Sequence, residues 1–268
     1  SKSMLAARLP TILPPLDQKE ALEVTAVHSL VGNGAVHELM TTPPLSEPHH
    51  SVSMAAMVGG GARVARPGAV SLAHRGVLFL DEAPEFSARV LEALREPLET
   101  GDITLHRARG VTRYPARFQL VAAMNPCRCG MGGAGRGACG KAPRCQRDYQ
   151  NRVSGPMFDR IDLTVETPPV TAADMALPPP AEGTAEARAR VAVARALQAD
   201  RVREAGLDPF QGLNARASGE TLDRFATPDE AGRALLMRAG EAGAVMRRIL
   251  DKVNAGGDPG LRGGCGLH

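Results

Sequence analysis

The spacing of apolar and polar positions changes several times along the chain, and each change predicts an element. Lys2-Ser3-Met4-Leu5-Ala6-Ala7-Arg8-Leu9 opens an amphipathic helix, and Leu13-Pro14-Pro15-Leu16 stops it before a second helical pattern over 18–31. Residues 32–70 are rich in Gly, Pro, Ser and His and predict a long irregular insert, a kind of segment that is usually functional. Gly76-Val77-Leu78-Phe79-Leu80 then reads as a buried central strand of a parallel sheet, ended by Asp81-Glu82. A helix is expected over 85–100, with Val90, Leu91, Leu94 and Leu98 on one face and Pro97 disturbing its end. Strand 103–106, a turn at 107–110 and a returning arm over 111–115 predict a hairpin. Residues 118–125 predict a second buried strand, and the alternation of Ile161, Leu163 and Val165 predicts a third after Arg160. Past a Pro/Ala-rich stretch comes a strong helical pattern over 184–204, then two weaker ones up to 250 and a Gly-rich end. Strands alternating with helices predict an α/β core with a parallel sheet flanked by helices, followed by a small helical part.

The chemistry gathers at strand ends, where open α/β sheets bind ligands. Asp81 is placed to hold Mg²⁺ through water and Glu82 to polarise an attacking water, as in a Walker B strand. The alternative is a buried strand whose two acids simply turn into solvent. Lys2-Ser3 fits the tail of a phosphate loop, with Lys2 on the β- and γ-phosphates and Ser3 on Mg²⁺. Asn125, ending the second strand, would stand beside the acids and orient water against a γ-phosphate; the plainer alternative is an Asn making a turn. Arg160, just before an expected strand, fits an arginine finger as well as it fits a structural ion pair.

Charge adds a polyanionic partner to this picture. The 268 residues carry a formal net charge of only +3, yet positions 101–160 hold ten Arg and one Lys against three Asp, a net of +8 that leaves −5 for the rest. Such a block suits phosphate backbones, a solvated basic face being the alternative. Two Tyr, six Phe and no Trp argue against base stacking as the main mode of binding. A 43% hydrophobic content is enough for a real core. No apolar run approaches the roughly 20 residues of a membrane span, and no signal peptide precedes the first helix, so a cytoplasmic protein is expected. Cys127, Cys129, Cys139 and Cys145 fall in one Gly/Arg-rich loop, with Cys265 apart. Four thiolates suit Zn²⁺; four reduced thiols are the alternative, and disulfides rank last in the cytoplasm. The adjacent His49 and His50 are read as structural or near DNA rather than as metal ligands.

The motifs occur in an order that resembles the magnesium-chelatase-related AAA+ ATPases, specifically the ComM (YifB) competence-protein family. Those that carry the resemblance include Ser3-Met4-Leu5-Ala6, Ser51-Val52-Ser53, Gly59-Gly60-Gly61, Ser71-Leu72-Ala73-His74 and Gly76 to Glu82. Leu94-Arg95-Glu96-Pro97-Leu98-Glu99, Ala123-Met124-Asn125-Pro126 and Ser154-Gly155-Pro156-Met157-Phe158-Asp159-Arg160-Ile161-Asp162 complete the series. The resemblance implies an AAA+ P-loop ATPase core with a helix-2 insert and a pre-sensor-1 hairpin over 1–168. A linker over 169–182, a helical lid over 183–252 and a disordered tail over 253–268 would follow. It implies ATP and Mg²⁺, hexameric rings and DNA branch migration in natural transformation. By position, Lys2 and Ser3 match Walker A, Asp81 and Glu82 Walker B, Asn125 sensor 1 and Arg160 the arginine finger. The insert and hairpin would face the ring pore, where Arg107, Arg109 and Arg113 could track phosphates without reading bases.

The chain departs from the family at both ends. It starts inside the phosphate loop, and the family's lid stretch is replaced by Glu241-Ala242-Gly243-Ala244-Val245-Met246-Arg247-Arg248, which leaves sensor 2 unassigned and Arg247 a weak match. A chain without the loop glycines is expected to bind ATP weakly. The alternatives to a DNA motor are a chelatase-type motor working on a protein partner and an inactive fragment.

Overall fold

The computed structural model describes residues 2–31, 38–61, 65–107, 110–129, 139–141, 143–165, 167, 176–178, 182–206, 213–216 and 227–241. Contacts divide the chain into two compact units, one of residues 1–161 and 165–191, the other of 162–164 and 192–268.

The first unit is built on a parallel three-stranded sheet in the order β1 (Leu45–Ser46), β4 (Val77–Leu80), β7 (Gln119–Ala122). β4 is central because all four of its side chains are buried, so neither of its faces can be given to water. Its pleat splits those side chains between two clusters. Phe79 points to Ala6 of helix α1 (Lys2–Ile12) and to Ala123, while Leu78 and Leu80 join the main core with Met57, Val90, Leu91 and Leu94. The register runs from Val77↔Gln119 to Leu80↔Ala122, so both strands end level.

The other elements show local causes. Helix α2 (Gln18–Ser29) begins with a full capping box, Asp17 accepting from the Glu20 N–H and Glu20 from the Asp17 N–H. Residues 32–70, expected to be irregular, contain β1, α3 (Met54–Val58, capped by Ser53), and a two-residue antiparallel pair, β2 (Gly59–Gly60) with β3 (Arg66–Pro67). Gly59 has φ +110°, and a Cβ there would lie 2.7 Å from the Arg66 carbonyl oxygen, so a glycine is required. Helix α4 (Ala69–Leu72) leads back towards β4.

The expected helix over 85–100 is broken. It consists of a 3₁₀ turn (Ala83–Glu85), α5 (Ala88–Ala93, capped by Ser87) and α6 (Arg95–Thr100). Pro97 has no N–H to give the Ala93 carbonyl and its ring crowds that carbonyl, so the break falls at Leu94 and Pro97 sits in the first turn of α6, where it is tolerated. Gly101, with φ +76°, ends α6 and starts the hairpin. β5 (Asp102–Arg107) and β6 (Gly110–Pro115) pair over six positions, and Ile103, Leu105 and Tyr114 anchor them in the core.

The expected strand at 161–165 does not form. These residues pair with no described strand, and Leu163 and Val165 are 72% and 81% exposed. Alternation permits a strand, but only a neighbour's ladder makes one. Short helices α7 (Arg144–Gln150) and α8 (Gly155–Phe158) flank this region, and α9 (Thr184–Ala205) is the strong helix the sequence pattern predicts. In the second unit, Arg201 donates to Asn214 Oδ1 at 3.1 Å, and the last helix among the described residues spans Glu230–Glu241. The Gly-rich end, Arg247 and Cys265 lie outside the described residues.

Candidate nucleotide site

β4 and β7 end side by side, and two further ladder bonds carry the pairing past their ends. The Ala123 N–H donates to the Leu80 carbonyl at 2.9 Å and the Ala83 N–H to the Ala123 carbonyl at 2.9 Å. Asp81 and Asn125 are thereby held on neighbouring strand ends. Helix α1 reaches the same place through Ala6, whose small side chain lets it approach Phe79 and Ala123 closely. Its first turn puts Lys2 Nζ 2.5 Å from the Met124 carbonyl oxygen and 3.3 Å from Asn125 Oδ1. Ser3 Oγ donates to Asp81 Oδ2 at 2.7 Å. Four residues singled out in the sequence thus form two adjacent pairs, Lys2 with Asn125 across 123 positions and Ser3 with Asp81 across 78.

Glu82 follows in a left-handed conformation, φ 51° and ψ 46°, which is uncommon for any residue but glycine or asparagine. Its N–H donates to Asp81 Oδ1 at 3.0 Å, so Asp81 uses one carboxylate oxygen on Ser3 and the other on this turn. The turn leaves Glu82 exposed beside the cluster. One carboxylate is therefore fixed by two hydrogen bonds and the other is open to water.

Two neighbouring networks support the site and are invisible in the sequence pattern. Buried His74 and half-buried Arg75, just before β4, both bind Glu23 on α2: His74 Nε2 lies 3.2 Å and Arg75 Nη2 3.0 Å from Glu23 Oε2. The Arg117 N–H donates to His74 Nδ1 at 3.1 Å, and the Arg75 N–H donates to the Arg117 carbonyl at 2.7 Å, so the entries to β4 and β7 are joined. Burial pushes the His74 imidazole down to about 4, with Arg75 and Arg117 in support and Glu23 opposed. Burial works to raise the Glu23 carboxyl, but its bonds to Arg75 and His74 hold it below the usual range. On the other side, Arg152 donates to Glu85 Oε2 at 2.9 Å and to the Pro84 carbonyl at 3.4 Å. Tyr149 is buried nearby, and burial, with Glu85 and Glu82 close by, raises its phenol.

Arg160 is not brought to this cluster. Its guanidinium is paired with Glu99 and donates to the Pro156 carbonyl at 2.5 Å, while its buried Nε has no partner among the described residues. Arg113 is paired across the hairpin with Asp102 at 2.6 Å, and its side chain is 68% exposed. Arg109 and the side chain of Arg107 lie outside the described residues. Part of the basic block gathers elsewhere, around a cavity of about 650 Å³ lined by Arg128, Lys141, Arg144 and Arg152 with Asp148 and Tyr149. His49 Nδ1 bonds to Ser51 Oγ at 2.8 Å, a local turn contact.

The four loop cysteines converge. Their sulfurs all lie within 4.8 Å of one another, and Cys127 and Cys129 are 2.9 Å apart. The Lys141 backbone lowers the Cys139 thiol, but its bonds to Cys129 and Cys145, with desolvation, prevail and push it up to about 11.

A parallel sheet flanked by helices, with Lys, Ser, Asp and Asn gathered past its strand ends, is the architecture of an α/β P-loop core. Residues 1–175 match the family model described as magnesium chelatase, subunit ChlI, and residues 181–255 match that of its C-terminal part. An uncharacterised protein of Mycobacterium tuberculosis is 47% identical over 253 residues, covering 94% of this chain and 49% of its own. The uncharacterised protein YifB of Salmonella typhimurium is 45% identical over 84% of this chain and 42% of its own. Competence protein ComM of Haemophilus influenzae is 49% identical over 62% of this chain and 32% of its own. The chain belongs to the magnesium-chelatase-related AAA+ family that includes YifB and ComM. It spans about half the length of the first relatives it matches.

Proposed function

We propose that this chain is part of a ComM-type motor that hydrolyses ATP with Mg²⁺ and uses the energy to move or remodel DNA as a hexameric ring in the cytoplasm. The observation that carries the proposal is the meeting of Lys2, Ser3, Asp81 and Asn125 at the ends of β4 and β7. The donor set fits both groups. Lys2 Nζ already takes two oxygen acceptors where phosphate oxygens would replace them, and the Ser3 hydroxyl and Asp81 carboxylate are the hard oxygen ligands that Mg²⁺ prefers. Mg²⁺ held there would neutralise charge on the β- and γ-phosphates. Lys2 binds those phosphates, Asn125 orients the attacking water, and Glu82 takes the proton as water oxygen bonds to γ-phosphorus and the bond to ADP breaks. The left-handed turn is what sets Glu82 apart from the Asp81–Ser3 pair.

The basic block and the relative named as a competence protein support DNA as the partner. No described helix is long and apolar enough to cross a membrane. The test is Glu82→Gln in a chain preceded by a complete glycine-rich phosphate loop. ATP affinity should stay within a few-fold while turnover falls at least ~100-fold, because only the proton acceptor is lost. Turnover at the parent rate would remove Glu82 from the role. Stimulation of the parent by DNA supports the motor, whereas stimulation only by a protein partner would favour a chelatase-like activity.

A further inference from the structure

We propose that Cys127, Cys129, Cys139 and Cys145 form a closed Zn²⁺ site that fixes the Asn125 strand end to helix α7. Four sulfurs on a tetrahedron around a zinc at 2.3 Å would be about 3.8 Å apart. All four are found within 4.8 Å of one another, although they come from a strand exit, the turn after it, a separate loop and the first turn of α7. Chance clustering of exposed thiols does not account for this: Cys127 is fully buried, Cys139 and Cys145 are half-buried, and only Cys129 is exposed. The four are free thiols, so cross-links do not explain the convergence. An iron–sulfur cluster would hold its cysteines wider apart, since irons and sulfides must fit between them. Soft thiolate ligands in a closed tetrahedral set select zinc among the common cytosolic metals. With all four positions taken by protein, the ion has no place for substrate and its role is structural.

The position of the site gives that role content. Cys127 is two residues beyond Asn125, and Cys145 lies four residues before Tyr149 and seven before Arg152. Arg152 holds the Pro84–Glu85 turn that follows Glu82. One ion would thus tie the water-orienting Asn125 and the Glu82 turn to a common support, as outer partners of a site commonly do. This second step rests on the nucleotide-site reading of Asn125 and Glu82, but the metal site itself does not.

The experiment treats the two steps separately. Elemental analysis of the untagged 268-residue chain, purified without chelator, should give one zinc per chain, with below a tenth in Cys127→Ser and in Cys145→Ser. Exchange with Co²⁺ should give the intense visible absorption of a tetrahedral all-sulfur site, and stripping the zinc with a metal chelator should expose four further titratable thiols. No zinc after reducing purification, together with no Co²⁺ spectrum, would overturn the site even if the serine variants fail to fold. For the positioning step, the chain with a complete phosphate loop is stripped of metal and then re-supplied. Turnover should fall 10–100-fold with ATP affinity within a few-fold, and return with zinc. Asn125→Ala should show much less dependence on zinc. Zinc bound but turnover indifferent to its removal would overturn the positioning step and leave the nucleotide site standing.

Discussion

The join between the β4 and β7 entries makes the fold sensitive to mild acid, and His74 sets the magnitude. Its Nδ1 accepts the Arg117 N–H, so the imidazole must be unprotonated there, and its Nε2–H is directed at Glu23. Protonating Nδ1 forfeits the bond and sets two donors face to face beside Arg75. The group titrates near 6.5 in an open chain and at about 4 in the fold, so the unfolded state binds more protons between those values. Its contribution is therefore complete above pH 6.5 and is withdrawn as pH falls towards 4. A shift of this size withdraws about 2 kcal/mol between pH 7 and pH 5, and roughly 3 kcal/mol below pH 4. Glu23, depressed below the usual range, acts in the same direction but only at lower pH. Urea unfolding followed by circular dichroism should show a midpoint about 1 M lower at pH 5 than at pH 7. His74→Asn keeps an oxygen where Nδ1 stood, to accept the Arg117 N–H, and cannot titrate. It should be less stable than the parent at pH 7 through the lost Glu23 contact, yet lose about 2 kcal/mol less on going to pH 5. Parallel pH dependences for the two proteins would refute the assignment of this sensitivity to His74.

Three further perturbations probe other parts of the molecule. Gly76→Ala would place a Cβ 2.0 Å from the Pro44 carbonyl oxygen, which is backbone and cannot swing aside. It should cost roughly 1–3 kcal/mol or more by prising β1 from β4, seen as a lower thermal midpoint; an unchanged midpoint would mean that this ladder is loose. Asp102→Asn should release Arg113 from its 2.6 Å pair, tighten DNA binding and steepen its salt dependence by about 0.9 per added phosphate contact. An unchanged slope in fluorescence anisotropy would move the DNA contact away from the hairpin. Arg160→Ala, in the proposed ring, should lower ATP turnover at least ~100-fold, with partial recovery when mixed with Glu82→Gln subunits. Turnover within a few-fold of the parent would leave Arg160 with a purely structural role.

Legibility in the sequence followed the range of the interactions. β4 was readable because four apolar residues in a row leave no face for water, and the place of its two acids, just past the strand end, was readable with it. β1 was not, since two residues in a Gly/Pro-rich segment show no period and exist as a strand only through the β4 ladder. The expected strand at 161–165 failed for the converse reason, having the period without the ladder. The Glu23–His74 contact spans 51 positions and the Arg160–Glu99 pair 61, beyond any local pattern.

Arg160 shows why such pairs matter to the proposed mechanism. An arginine finger must offer its guanidinium to a phosphate on a neighbouring subunit, yet here Glu99 of the same chain holds it. The two roles do not conflict chemically, because a guanidinium pairs through charge-assisted, often bidentate bonds with carboxylate and phosphate oxygens alike. Glu99 is more than half exposed whereas the Arg160 side chain is about four-fifths covered, so water reaches the carboxylate of the pair far more readily than the guanidinium. Its buried Nε, without a partner among the described residues, leaves a donor that the pair with Glu99 does not use. In the proposed ring, an incoming phosphate would displace a largely exposed carboxylate from a guanidinium that the pair already holds in place.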